Sequence, residues 1–180
     1  MVYVLLGEGF EEAEALVPVD LMRRAGIEVQ TIGVDGYRVT GANGIMVTAD
    51  NTLVGLNADD MRMLVLPGGL GGVESIRKNL TAMALIQKAA DVGCWLCAIC
   101  AAPTILAQMG LLDRRRAVCY PGMEHQMYSA VVDQSQSVVV DGRIVTGRGP
   151  GAAYDFGLKL VEVLKGADAA ETVRRQIHYR

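Results

Sequence analysis

The sequence predicts an α/β protein with a mostly parallel sheet covered by helices on both faces. Short apolar, β-branched runs alternate with helical stretches of about ten to fifteen residues, the pattern of βαβ units. Several of these runs are apolar throughout, as in strands that are buried on both faces. The 180 residues are 51% hydrophobic and 5% aromatic, with 21 glycines, which favours one compact domain over residues 1–180.

The elements follow from this alternation in chain order. The predicted strands are Val2–Leu6, Ile27–Val34, Met63–Leu66, Cys94–Ile99, and a pair around Asp141-Gly142, Val138–Val140 and Ile144–Thr146. The segment Tyr37–Ala49 forms a further hairpin that turns at Asn43-Gly44. The predicted helices are Glu11–Ala25, Thr81–Asp91, Ala102–Met109, Ala152–Leu164 and Ala167–Ile177. Gly26, Gly93 and Gly110 end the first three of them, since glycine favours the position after a helix.

Charge and cysteine content exclude several classes of protein. Seventeen basic and 20 acidic residues give a net charge of −3, which is not the footprint of a nucleic-acid-binding domain. The apolar run at the start is about five residues long, too short for a secretory signal, and no segment reaches the ~18–20 apolar residues of a membrane span. Four cysteines do not make a disulfide scaffold. We therefore expect a cytoplasmic protein that contacts neither membrane nor nucleic acid.

The carboxyl ends of parallel strands are where the chemistry of such sheets is found. This rule selects four segments: Gly7–Glu14, Pro67–Gly72, Cys100–Pro103 and Gly147–Gly151. The basic run Arg114-Arg115-Arg116 lies outside them, and we interpret it as a solvated turn rather than a phosphate site.

Cys100 is the strongest candidate for a reactive group. It ends a predicted strand, and Pro103 marks the first turn of the following helix. A cysteine at such a turn faces the positive end of the helix dipole, which favours a thiolate. The alternative is a buried structural cysteine, which is common.

Cys94, Cys97 and Cys100 also form a C-x-x-C-x-x-C pattern, which raises the possibility of a metal site. Residues three apart on a strand point to opposite faces, so these thiols do not converge on one ion. The sequence therefore predicts no metal.

Glu14 shares an apolar helical stripe with Val17 and Leu21. Burial there raises the pKa of a carboxyl and keeps it protonated, and a neutral acid is able to donate a hydrogen bond to a thiolate. Glu11 and Glu12 are explained by their place in the first helical turn, where they complement the helix dipole.

The run from Pro67 to Gly72 contains four glycines after a strand. Glycine backbone approaches a ligand closely, so N–H groups here are suited to an oxyanion hole, although an ordinary turn is the alternative. The lysine and Ser/Thr of a phosphate loop are missing. Of the two histidines, His125 is predicted on the surface or at an interface, with a Cys–His pair as the alternative, and His178 on the surface.

Several of these residues belong to motifs that resemble the ThiJ/PfpI superfamily. The resemblance is strongest to the branch of the human Parkinson-disease-associated deglycase and its bacterial relatives. The matching runs are Glu11–Glu14, Val17–Asp20, Arg23–Ile27, Val65–Gly69, Ala98–Thr104 and Arg148–Gly151, in order over nearly the whole chain.

The resemblance implies a flavodoxin-like three-layer sandwich, a homodimer and no cofactor. It makes Cys100 the nucleophile at a strand–helix elbow and Glu14 its protonated partner, with oxyanion-hole N–H groups from Gly69 and Ala101. Ala101 also stands where the peptidase branch has a histidine, which argues against peptidase chemistry.

The resemblance also points to substrate-pocket residues. It places Gly68, Tyr120 and Asn43 at or near the pocket. Tyr120 stands where the human relative has a histidine, and Asn43 where it has an arginine at the subunit contact.

The leading hypothesis is glutathione-independent conversion of 2-oxoaldehydes such as methylglyoxal, or of glycated adducts, to 2-hydroxy acids. The competing hypothesis is a redox sensor or chaperone in which the cysteine is oxidised and turnover is incidental. Whether Cys119 acts as a resolving thiol is left open. A binding module of the same fold ranks last, because no dinucleotide fingerprint is present.

Overall fold

The computed structural model describes residues 1–180, which form one seven-stranded sheet flanked by helices. The strands of the sheet are β1 (Val2–Leu6), β2 (Val29–Gly33), β5 (Asn51–Thr52), β6 (Met63–Leu66), β7 (Trp95–Ile99), β10 (Val138–Asp141) and β11 (Ile144–Gly147). Their order is β10-β11-β7-β6-β1-β2-β5, and every neighbouring pair is parallel except β10–β11. The predicted α/β class with a mostly parallel sheet is confirmed.

Helices cover both faces of this sheet, and two short strand pairs lie outside it. The helices are α1 (Glu12–Arg24), α2 (Leu70–Lys78), α3 (Leu80–Asp91), α4 (Pro103–Gln108), α5 (Ala153–Lys165) and α6 (Ala167–Gln176). The strand pairs are β3 (Arg38–Thr40) with β4 (Met46–Thr48), and β8 (Arg116–Ala117) with β9 (Val131–Val132). Helix α5 packs on α1 and α6, whereas α2 packs on α3. None of the helices combines the length and the apolarity that crossing a bilayer requires.

Sequence patterns identified every long strand and missed one full helix. The run at α2 contains two glycines, which have low helix propensity, so it reads as a loop. The structure forms a helix there because Val73 and Ile76 are buried. Gly72 also has to be small, since a Cβ would lie 2.8 Å from the Cα of Phe10. Tertiary packing therefore overrides local propensity at this element.

The central strands carry the site. Strands β1, β6 and β7 are adjacent and parallel, so their carboxyl ends meet at one edge of the sheet. The predicted functional segments follow these ends: Gly7 comes after β1, Pro67 after β6 and Cys100 after β7. Gly147 ends the neighbouring β11.

Candidate active site

Cys100 occupies a strained turn between β7 and α4. Its φ is +66°, in the left-handed region that non-glycine residues rarely adopt. Two backbone hydrogen bonds hold this conformation: its N–H donates to the Gly147 carbonyl at 2.9 Å, and its carbonyl accepts from the Tyr120 N–H at 2.8 Å. Strain that is fixed by its surroundings is typical of functional positions.

A buried hydrogen-bond network supports the residue after the elbow. The Thr104 hydroxyl donates to the Ala101 carbonyl at 2.6 Å, and the Arg77 guanidinium donates to the same hydroxyl. Arg77 lies on α2, so this pair of bonds links the start of α4 to a neighbouring helix. No sequence pattern indicates this network, because Arg77 is distant along the chain from Thr104.

Glu14 lies on α1 and is fully buried. Its Oε2 accepts the Gly68 N–H at 2.9 Å, and its Oε1 has no hydrogen-bond partner of ordinary geometry. A Cβ at Gly68 would collide with Glu14 Oε2 and would lie 2.7 Å from the Cys100 Cβ. The Glu14 carboxyl and the Cys100 Cβ therefore both lie against position 68, which has to be a glycine for the two side chains to fit.

Protonation of the two groups is coupled. Burial raises the pKa of Glu14 to about 7. Burial, reinforced by the negative charge of Glu14, raises the pKa of Cys100 to about 12. The pair therefore loses one proton near pH 7 and holds the second far above neutrality. The predicted raised pKa of Glu14 is found, whereas the helix-dipole argument for a lowered pKa of Cys100 neglected burial and the neighbouring carboxylate.

Two backbone N–H groups oppose this rise. The backbone N–H groups of Ala101 and Gly69 donate hydrogen bonds to the Cys100 sulfur, and these bonds lower the pKa of Cys100. Gly69 adopts a φ of +84°, and a Cβ there would lie 2.6 Å from the Glu11 nitrogen, so a side chain is excluded. Gly69 and Ala101 are the two residues that the family resemblance implies for an oxyanion hole.

The sulfur of Cys100 opens onto a cavity of about 560 Å³. Cys100 itself is 8% exposed. Twelve residues line the cavity, mostly through apolar atoms, and they include Glu11, Gly69, Leu70, Ala101, Tyr120, Met123 and His125. A volume of this order is typical of small-molecule sites.

Of the three residues expected in the substrate pocket, Tyr120 lines the cavity, whereas Gly68 and Asn43 do not. The ring of Tyr120 packs on Gly149. Asn43 does not line the cavity in this chain, because its backbone N–H and its side-chain amide both donate to the Glu12 carboxylate. Those bonds lower the pKa of Glu12 although burial opposes them. Glu12 thus fastens the β3–β4 hairpin to α1, a role that its place in the first helical turn did not reveal.

The other cysteines are enclosed. Cys97 and Cys119 have no exposed surface, and the Cys94 thiol donates to the Met61 carbonyl. The Gln134 amide contacts the Cys119 sulfur at 3.6 Å, and burial raises the pKa of Cys119 to about 11. No group of three or more His, Cys, Asp or Glu side chains is arranged to hold a metal ion.

A model of the DJ-1/PfpI family matches residues 1–163. The chain belongs to the DJ-1/PfpI family. Among curated relatives, the dj-1beta protein of Drosophila melanogaster is 37% identical over 176 residues, covering 96% of this chain and 93% of the relative. A Pyrococcus abyssi protein of the same family, named a deglycase, is 34% identical over 165 residues, covering 91% and 99%.

Solved structures of DJ-1 proteins share the fold. Drosophila melanogaster DJ-1beta superposes with a TM-score of 0.93 at 36% identity, over 99% of this chain and 97% of that one. Toxoplasma gondii DJ-1, in an oxidised form, gives a TM-score of 0.94 at 33% identity, over 99% and 97%. The flavodoxin-like sandwich expected from the sequence motifs is thereby confirmed.

Proposed function

We propose that this DJ-1/PfpI protein converts 2-oxoaldehydes such as methylglyoxal to 2-hydroxy acids without glutathione, with Cys100 as nucleophile and Glu14 as acid and base. The observation that carries the proposal is the contact of both side chains with Gly68 beside an open cavity. The relative named a deglycase supports chemistry on carbonyl compounds or their adducts.

The first step forms a bond between the Cys100 sulfur and the aldehyde carbon. Glu14, with a pKa of about 7, is matched to accept the thiol proton at neutral pH. The aldehyde oxygen gains negative charge as the bond forms. The N–H groups of Gly69 and Ala101, which point toward the sulfur, stabilise that charge.

The second step moves hydrogen between adjacent carbons. Glu14 passes the thiol proton to the alkoxide, which leaves a hemithioacetal and a free carboxylate. The carboxylate then removes the hydrogen from the former aldehyde carbon and passes it to the ketone oxygen, which gives an enediol. It next takes the proton from the hydroxyl on the former aldehyde carbon and delivers it to the former ketone carbon. The product is a 2-hydroxyacyl thioester on Cys100, which water hydrolyses to the 2-hydroxy acid and the thiol.

The size of the cavity bears on the range of substrates. Its volume of about 560 Å³ far exceeds that of methylglyoxal. The apolar lining and the open rim therefore also accommodate the early adducts of methylglyoxal with amines or thiols. Breaking the carbon–nitrogen or carbon–sulfur bond of such an adduct passes the hydroxyl proton to the departing amine or thiol and regenerates the aldehyde. The same steps then consume the aldehyde, and the net result is a deglycase activity.

The test is lactate formation from methylglyoxal in buffer without glutathione. We expect turnover by the wild type and by Cys97→Ala, which removes a buried thiol from the same strand, and none by Cys100→Ser. Equal turnover by Cys100→Ser and the wild type would remove the proposal.

Redox sensing is the second candidate function. Oxidation of Cys100 to a sulfinate would place acceptor oxygens beside the unpartnered Oε1 of Glu14, which in its protonated form is a donor. The similar structure of Toxoplasma gondii DJ-1 is of an oxidised protein. After mild peroxide, intact-mass analysis of a sensor should show two added oxygens on Cys100, with Cys94, Cys97 and Cys119 reduced. That pattern together with negligible lactate formation would favour the sensor.

We further infer a cytoplasmic homodimer. Ile45 and Met46 on the β3–β4 hairpin are 55% and 60% exposed, and Leu16 lies one turn beyond Glu12, which holds this hairpin on α1. Such exposed apolar side chains are suited to a subunit contact. Sedimentation should give a dimer for the wild type and a lighter species for Met46→Glu. A monomeric wild type would contradict the inference.

A further inference from the structure

We propose that His125 is the general base that activates water for release of the acyl group from Cys100. The proposal rests on the proposed function, which supplies the acyl group on Cys100. It assigns the hydrolysis of that group to His125 and not to Glu14. The sequence predicted a surface position for His125; the structure places it on the surface and also in the lining of the cavity onto which Cys100 opens.

His125 lies on a short 3-10 helix, Glu124–Gln126, above the rim of the cavity. It is the one imidazole among the residues that line the cavity. The other histidine, His178, is close to the C-terminus and lines a separate depression with Tyr154 and Tyr179. Solvent reaches His125, so a water molecule has access to the ring from the open side of the cavity.

Hydrogen bonding fixes which ring nitrogen is basic. Nδ1 of His125 lies 3.1 Å from the Gly122 carbonyl oxygen, which only accepts, so Nδ1 carries the hydrogen in the neutral ring. Nε2 is then the free base, with the Gln126 amide 3.4 Å away as a weak donor to it. A hydrogen bond that fixes the tautomer and orients the ring is the arrangement that general bases require.

The charged side chains near His125 are carboxylates. Backbone N–H groups, with attraction to His125 as a smaller cause, lower the pKa of the adjacent Glu124 carboxyl, so this group is anionic. Glu11 lies across the same cavity. The cavity lining contains no lysine or arginine to oppose a positive charge on the imidazole.

The step balances without any co-reactant. Water oxygen bonds to the thioester carbon while a water proton passes to His125 Nε2. The carbon–sulfur bond then breaks and its electron pair goes to sulfur. The imidazolium returns its proton to the thiolate, directly or through water. The carboxylic acid, which now contains the oxygen from water, leaves the site.

The test follows an acyl group on Cys100 that does not depend on methylglyoxal. p-Nitrophenyl acetate is used to acetylate the enzyme, and intact-mass analysis follows loss of the acetyl group from Cys100. His125→Asn is the main variant, because its amide nitrogen is able to replace the Nδ1 bond to Gly122 while the base at Nε2 is lost. His178→Asn is the matched control.

We expect deacetylation to slow by about 10²-fold in His125→Asn, with acetylation little changed, and to remain at the wild-type rate in His178→Asn. Added imidazole should restore the rate in His125→Ala, because the cavity is open. Deacetylation of His125→Asn at the wild-type rate, or equal slowing in both variants, would overturn the proposal. Slow deacetylation of His125→Asn in a protein that makes no lactate would support His125 and refute the proposed function.

Discussion

The carboxyl group of Glu14 and the Cβ of Cys100 lie against the same residue, Gly68. A side chain at Gly68 would strike both of them, and the Gly68 N–H donates to Glu14. Three parts of the chain, α1, the turn after β6 and the turn after β7, thus meet at one point. The electrostatic coupling of the acid and the thiol follows directly from this packing.

Gly68→Ala should therefore disable the site. The added methyl group would lie 2.7 Å from the Cys100 Cβ and 3.0 Å from the Ile99 carbonyl oxygen, so the elbow or α1 has to move. We expect a loss of 1–3 kcal/mol in the free energy of unfolding, roughly the cost of overpacking, and a loss of Cys100 alkylation at neutral pH.

The matched control for that variant is Gly151→Ala, because a Cβ there meets nothing within 4 Å and its φ is not left-handed. Thermal melts and iodoacetamide kinetics on both variants measure the difference. Equal behaviour of the two alanine variants would show that contact at Gly68 does not position the pair.

Glu14→Gln should change how stability depends on pH. The folded-state pKa of Glu14 is raised from 4.5 to about 7, so its stabilising effect is fully present below 4.5 and is lost as pH rises through 7. An amide does not ionise and avoids this loss. Relative to the wild type, we expect the variant to gain about 3 kcal/mol in unfolding free energy between these pH values. Urea denaturation below pH 4.5 and above pH 7 measures it, and a pH-independent difference between the proteins would contradict the buried acid.

Much of this site could be predicted from sequence, because its parts follow strands that are easily recognised. Cys100 before Pro103 indicates an elbow, and Glu14 on an apolar stripe indicates a buried acid. What could not be predicted depends on distant contacts. Glu12 and Glu14 have similar local patterns, yet only the position of the β3–β4 hairpin makes Glu12 a buried anion held by Asn43.

The same limit explains the lowered pKa that the sequence predicted for Cys100. The helix dipole is a local feature, whereas burial and the Glu14 charge come from tertiary packing and are stronger here. Helix α2 was missed for a related reason, since its two glycines allow close approach to the backbone of residues 8–10 and are not part of a turn.

Thr104 should stabilise the elbow through its hydroxyl. Thr104→Val keeps the shape but removes the hydroxyl bond to the Ala101 carbonyl, which retains only the longer bond from the backbone N–H of residue 104, and it leaves the Arg77 guanidinium without this acceptor. The expected cost is about 1–3 kcal/mol, with slower alkylation of Cys100 because the Ala101 N–H is less well fixed. Thr104→Ser retains the hydroxyl and should resemble the wild type in alkylation rate. If Thr104→Val alkylates as fast as Thr104→Ser, the network has no influence on the site.

The central claim is that Glu14 and Cys100 share one proton at neutral pH, so that a thiolate is available although burial opposes it. The thiolate absorbs in the ultraviolet, and a pH titration of the wild type minus Cys100→Ser isolates its signal. We predict a partial rise in thiolate absorbance through pH about 7, with the remainder at far more alkaline pH, and loss of the lower transition in Glu14→Gln. A wild-type titration with no thiolate absorbance until the pH approaches 12 would contradict the account.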